Sequence, residues 1–189
     1  MKDRKKICVF CSSNKDLGKI FIDEAWHFGN QIGKNNFDVI WGGCDMASMG
    51  SVARGVQAGG GAAIGIITQH FIDGGYAYKN ANELIVAKDL RERKHLMQSR
   101  ADAFAVLPGG FGTLDEFFDI LAAQIINLKS GKQIQPIMVL NSGGFFNEIK
   151  AFFDKLYAHK VADEKYKALY TFVDKPEDGV AFIRGSFSK

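Results

Sequence analysis

The sequence holds 189 residues, 47% hydrophobic and 24% charged, with a formal net charge of +3. That is the make-up of an ordinary soluble chain of one domain's length; it excludes coiled coil, extended disorder and a broad nucleic-acid-binding surface. No apolar run reaches the length of a membrane span, and the basic start leads into an apolar stretch too short for a signal peptide, so a cytoplasmic home is expected with no membrane partner.

In chain order, Lys2, Arg4, Lys5 and Lys6 read as a solvated basic tail. Residues 7–11 are an apolar run stopped by Ser12, Ser13 and Asn14, which predicts a buried strand. Residues 18–34 carry Phe21, Ala25, Phe28 and Ile32 at helical spacing. A strand over 37–41 ends in Gly42 and Gly43, and a helix over 48–58 runs into three glycines. A strand over 62–67, a loop over 69–82 and a short strand over 83–87 follow. Then come a helix over 90–101, a strand over 103–107 and a helix over 113–127. Next are a strand over 134–140 and a helix over 145–159 whose stripe is Phe146, Ile149, Phe153, Leu156 and Tyr157. Residues 170–173 suit an edge strand, and 176–183 a last helix with Pro176 in its first turn. Apolar strands alternating with helices predict one α/β domain over 1–189: a doubly wound parallel sheet with helices on both faces.

Ligands of such a sheet bind beyond the carboxyl ends of the strands. Three segments fall there: Ser12-Ser13, the stretch from Gly42-Gly43-Cys44 to Gly50, and the stretch from Pro108 to Glu116. In the last, Pro108-Gly109-Gly110-Phe111-Gly112-Thr113 joins a strand to a helix. Its glycines let backbone amides approach an anion, and the helix start adds free N–H groups and a positive dipole end. No lysine follows the last glycine, so this is no Walker A loop, and the G-x-G-x-x-G dinucleotide fingerprint is absent. A mononucleotide phosphate is the expected guest.

Glu116 has two readings. Thr113-Leu114-Asp115-Glu116 matches a capping box, which would make it a structural cap. The helical wheel puts Leu114, Phe117, Phe118, Leu121 and Ile125 on one face, expected to meet the sheet, with Glu116 opposite beside Ile120 and Ala123. That second, partly apolar face would be covered by another subunit, leaving Glu116 in a cleft near the phosphate. In the preceding helix Arg93 falls between Leu90, Leu96 and Met97. A guanidinium among apolar neighbours needs an anion, either Glu116 or a ligand phosphate, unless it snorkels to water. Asp89 reads as that helix's N-cap.

Cys8 and Cys11 form a C-x-x-C. A redox pair belongs at a helix N-terminus, whereas these sit in a strand and face opposite sides. Only Cys44 and four scattered histidines could complete a metal site, so core packing is expected and no metal.

Taken together, Pro108-Gly109-Gly110-Phe111-Gly112-Thr113-Leu114-Asp115-Glu116 and Glu92-Arg93-Lys94 resemble the P-G-G-x-G-T-x-x-E and E-R-K motifs of the LOG ("lonely guy") nucleoside 5′-monophosphate phosphoribohydrolases. Some members of that family carry an old "possible lysine decarboxylase" label. The likeness runs from Ile7 to about Arg184. It implies a Rossmann-like homodimer with its site near the subunit contact, and Arg93 and Glu116 as the catalytic pair. The implied substrate is a purine nucleoside 5′-monophosphate, its phosphate held on Gly109, Gly110, Gly112 and Thr113, with no cofactor. Ser13, Gly43 and Lys94 complete the expected binding set. Departures fall at Cys44 and Ala47, where the family motif G-G-G-x-x-G-L-M-G has glycine, at Ser12, where C-G-S is usual, and at Leu90, where methionine is usual. The expected reaction is hydrolysis of the N-glycosidic bond. The rival reading is a non-catalytic nucleotide or molybdenum-cofactor carrier of the same fold, which would keep the loop without needing the acid.

Overall fold

The computed structural model describes residues 4–188. Seven strands form one all-parallel sheet: β1 (Lys6–Phe10), β2 (Asp38–Trp41), β3 (Ala63–Thr68), β4 (Glu83–Ala87), β5 (Ala103–Val106), β6 (Ile137–Leu140) and β7 (Tyr170–Val173), in the order β4-β3-β2-β1-β5-β6-β7. The helices are α1 (Lys19–Lys34), α2 (Ala47–Ala58), α3 (Gln69–Asp73), α4 (Leu90–Ser99), α5 (Phe111–Lys129), α6 (Asn147–Ala158) and α7 (Pro176–Ser186). This is the doubly wound, Rossmann-like architecture expected.

The period of two along each strand divides the core. Ile7, Val9 and Cys11 with Val39 and Trp41 meet Phe28, Ile32, Val52, Val56 and Ile183, so α1, α2 and α7 cover one face. Cys8 and Phe10 with Ile40, Ile66 and Phe104 meet Met97, Phe117, Ile120, Phe153 and Tyr157, so α4, α5 and α6 cover the other. Cys8 and Cys11 therefore belong to opposite cores, and all three cysteines are free and buried.

α1 and α2 approach closely because each turns glycines to the other. A Cβ on Gly33 would stand 2.8 Å from the Gly59 carbonyl carbon, and one on Gly55 3.0 Å from the Asn30 backbone nitrogen. Backbone packs on backbone, and a methyl group has no space there.

The structure corrects several boundaries. α5 starts at Phe111 on an N-cap, Gly110, that offers no side-chain hydrogen bond. Its buried line is Thr113, Glu116, Phe117, Ile120 and Gln124, while Phe118 is exposed and Leu114, Leu121 and Ile125 are half-buried. The wheel read from Leu114 was thus rotated by part of a turn: Ile120 faces the core, and the exposed apolar residues are Phe111, Phe118 and Ile126. The expected loop at 69–82 contains α3 and an isolated bridge between Cys44 and Ala77. Short 3₁₀ turns at Ser142–Gly144 and Glu164–Leu169 precede α6 and β7. The basic segment is not a free tail: Arg4 donates to the Gly60 carbonyl at 2.6 Å, Lys5 pairs with Asp102 at 2.7 Å, and Lys6 opens β1. Lys2 lies outside the described residues.

Candidate active site

β1 pairs with β2 on one side and β5 on the other, and the chain winds outward from this pair in both directions. The crevice beyond the carboxyl ends of β1 and β5 is the topological switch point, where such folds bind ligands. A cavity of about 410 Å³ opens there, within the size range of small-molecule sites.

α4 is started by Asp89, whose side chain accepts from the Glu92 N–H at 2.8 Å, as expected of an N-cap; Glu92 in turn accepts from the Lys88 N–H at 2.7 Å. This fixes the first turn and points Arg93 inward. Its Nη1 donates to Glu116 Oε1 at 3.0 Å and its Nε to the Ile66 carbonyl of β3 at 2.9 Å; the side chains of Arg93 and Glu116 are each only 12% exposed. Arg93 does not snorkel. Leu90, expected beside it on the apolar face, instead stands exposed at the cavity rim.

Glu116 is no capping-box residue, because Gly110 and not Thr113 occupies the N-cap and Glu116 lies in the second turn of α5. Its carboxyl pKa is raised above the ordinary glutamate value. Burial is the larger cause, the charge and hydrogen bond of Arg93 pull the other way, and Asp115 adds to the rise. A buried carboxylate set against one guanidinium is an arrangement found where acid–base work is done.

The start of α5 is the second half of the site. By the geometry of any helix its first amides lack intrahelical acceptors, and here Gly110, Gly112 and Thr113 of that start line the cavity. Gly109 does not line the cavity. It lies against Thr113, whose Cβ a methyl group at 109 would approach to 2.8 Å, and so holds the turn tight. Ser13 and Lys94 line the cavity, the latter held by Asp115 at 3.0 Å and 3.2 Å. The Lys94 pKa is raised, first by that hydrogen bond. Gly43 faces away: with φ +78° it turns the chain, and a Cβ there would meet Ile67 at 2.8 Å.

Gly42, Cys44 and Met49 line the cavity from the β2–α2 segment that the sequence had placed beyond the strand ends; sequence reasoning did not foresee Cys11 after β1, Phe71 from α3 or Met97 from α4 in its lining. For Cys11 the available signal was position, since it follows the last residue of β1 at the switch point. Burial raises the pKa of all three cysteines, which disfavours the thiolate at Cys11 and Cys44 in the cavity lining. Ala47, where the family motif has glycine, keeps a left-handed φ of +43°, a conformation costly to a residue with a Cβ. Among the described residues no group of three or more His, Cys, Asp or Glu could hold a metal ion.

The comparisons with known proteins agree with this picture. The family model described as "Possible lysine decarboxylase" matches residues 49–183. The chain is 34% identical over 152 residues to "Probable cytokinin riboside 5'-monophosphate phosphoribohydrolase LOGL2" of Oryza sativa subsp. japonica, covering 80% of this chain and 60% of that one. It is 32% identical over 174 residues to LOGL9 of the same plant, covering 92% and 74%. With "Cytokinin riboside 5'-monophosphate phosphoribohydrolase LOG3" of Arabidopsis thaliana the figures are 34% over 152 residues, 80% and 68%. The chain thus spans about three fifths to three quarters of the length of these relatives. Among solved structures, the molybdenum cofactor carrier protein of Chlamydomonas reinhardtii superposes with a TM-score of 0.72 at 19% identity, over 99% of this chain and 100% of that one. The molybdenum cofactor binding protein of Rippkaea orientalis gives 0.74 at 17%, over 99% of each. At those identities the likeness is one of fold. No helix among the described residues is long and apolar enough to cross a membrane. The sequence match carries more than fold, and by it the chain belongs to the LOG family, whose model bears the description "Possible lysine decarboxylase".

Proposed function

We propose that this protein hydrolyses the N-glycosidic bond of a purine nucleoside 5′-monophosphate, releasing the free base and ribose 5-phosphate. One observation carries the proposal: a buried carboxylate, Glu116, ion-paired with Arg93 at 3.0 Å, stands one helical turn from an open, glycine-rich helix start. The 5′-phosphate would sit on the amides around Gly110, Gly112 and Thr113. Cleavage passes through an oxocarbenium-like state, as in glycoside hydrolysis. Glu116 would stabilise the growing positive charge on the sugar and take the proton of the attacking water. Arg93 would hold that carboxylate ionised and aimed. Such a route asks for no cofactor.

A carrier would need the loop but not a buried carboxylate at some cost in desolvation, and the likeness to molybdenum cofactor carriers is confined to fold. Lysine decarboxylation fits these residues poorly. It would need a pyridoxal phosphate Schiff-base lysine with a lowered pKa, whereas Lys94, the lysine that lines the cavity, is held protonated by Asp115. The exposed apolar residues of α5, Phe111, Phe118 and Ile126, suit a homodimer contact; a monomer by light scattering at micromolar concentration would remove that part. Incubation with AMP, GMP, CMP and N6-prenylated AMP, with separation of the products, tests the reaction. Free purine base from AMP or its prenylated form supports it, and no base from any of the four overturns it.

A further inference from the structure

The Arg93 guanidinium has three nitrogens, and the fold gives each a different setting. Nε donates to the Ile66 carbonyl, Nη1 donates to Glu116, and Nη2 lies over Gly42, the first residue after β2. A Cβ built on Gly42 would fall far inside contact distance of Nη2 and stand 3.0 Å from Cζ; the third of its three nearest atoms is the terminal methyl of Met49. Gly42 does not have the positive φ of its neighbour Gly43 at +78°, so its backbone is open to any residue. Glycine is needed there for space alone, and the space is filled by the guanidinium.

We propose that Gly42 is a positioning residue for the reaction: its missing side chain is the seat that sets Arg93 against Glu116. The Ile66 carbonyl fixes the near end of the guanidinium and Gly42 the far end, so the head has one place to lie. The three nearest atoms a methyl group at 42 would meet all belong to the far ends of the Arg93 and Met49 side chains, unlike the backbone met at Gly33 or Gly55. Gly42→Ala should therefore fold and melt close to the parent while moving the Arg93 head.

The inference rests on the proposed function only for its activity arm. A carbon-13 NMR titration of the Glu116 carboxyl reads the ion pair directly. The charged groups acting on Glu116 are Arg93, Asp115 and Lys94, and of these only Arg93 touches Gly42. Displacing Arg93 withdraws its downward pull, so Glu116 should titrate at higher pH in Gly42→Ala than in the parent. The rate of base release should fall about tenfold or more, on the scale of a misplaced catalytic contact. In an Arg93→Ala background, adding Gly42→Ala should leave the Glu116 titration where it is and change the rate less than about twofold. An unshifted titration, a shift of equal size in the Arg93→Ala background, or a variant that fails to fold overturns the proposal. If the parent releases no base while the titration shifts as described, the seat stands and the reading of the reaction fails.

Discussion

The two faces of the sheet use helix pairs in opposite ways. On one, α1 and α2 meet through glycines, backbone against backbone, with nothing titratable at the closest approach. On the other, α4 and α5 are bridged by side chains: Arg93 to Glu116, Lys94 to Asp115 and Asp119, and Gln98 to Asp119. The first seam is rigid because no rotamer can yield. The second borders the cavity, and it has one buried rung, Arg93–Glu116, while Asp115 and Asp119 of the others are exposed. The tight backbone seam lies in one layer and the buried ion pair in the other, so substitutions at the two should give different readouts.

The sharpest way to break that contrast is Gly33→Val. The larger side chain would press on the backbone of α2 and Gly59, and the expected cost is about 3 kcal/mol or more, read as a lower denaturation midpoint. An unfolding free energy within a few tenths of a kcal/mol of the parent would show that the seam yields.

Glu116→Gln should show the converse. It keeps the shape and removes the charge, and the rate should fall about a hundredfold or more. The raised pKa of Glu116 sets the sign of the stability effect. A carboxyl whose folded pKa lies above its unfolded value stabilises the fold at low pH and loses that contribution as pH rises through the folded value. Gln cannot ionise, so the variant should melt no lower than the parent at pH 7. The same shift sets the acid limb of the parent's rate profile. The ionised form is lost as pH falls through a raised pKa, so activity should decline at higher pH than an ordinary glutamate would give, and the limb should vanish in Glu116→Gln.

The smallest effect belongs to the exposed rungs. Asp119→Ala removes the Gln98 hydrogen bond at 2.7 Å and the 3.5 Å approach of Lys94, at an acid whose side chain is 45% exposed. It should cost less than about 1 kcal/mol and leave the rate nearly unchanged. A large loss of rate would mean that the seam works as one network and the division of labour drawn here is too simple.

Much of this was legible in the sequence because it is periodic or local. The apolar runs separated by helical spacing specify a parallel sheet, and Arg93 between Leu96 and Met97 marks an inward guanidinium. The family motifs locate the loop and the acid. What escaped depends on three-dimensional approach. The face of α5 was misjudged because Leu114, Phe118 and Leu121 look like core, while the residues under them, Glu116 and Gln124, are polar and buried through partners distant in sequence: Arg93 for one, Gln135 for the other. Gly42 and Gly43 are adjacent and look alike, yet one is needed for space and the other for conformation. The helix α3, which brings Phe71 to the cavity, has only five residues, too few for a period to be seen.

The central claim is that a phosphate held at the start of α5 brings an N-glycosidic bond to the Arg93–Glu116 pair. The most direct test offers the protein AMP and adenosine side by side and measures adenine released from each. The account predicts adenine from AMP and essentially none from adenosine. Equal rates on the two would contradict the role given to the helix start, and no adenine from either would contradict the AMP hydrolysis itself.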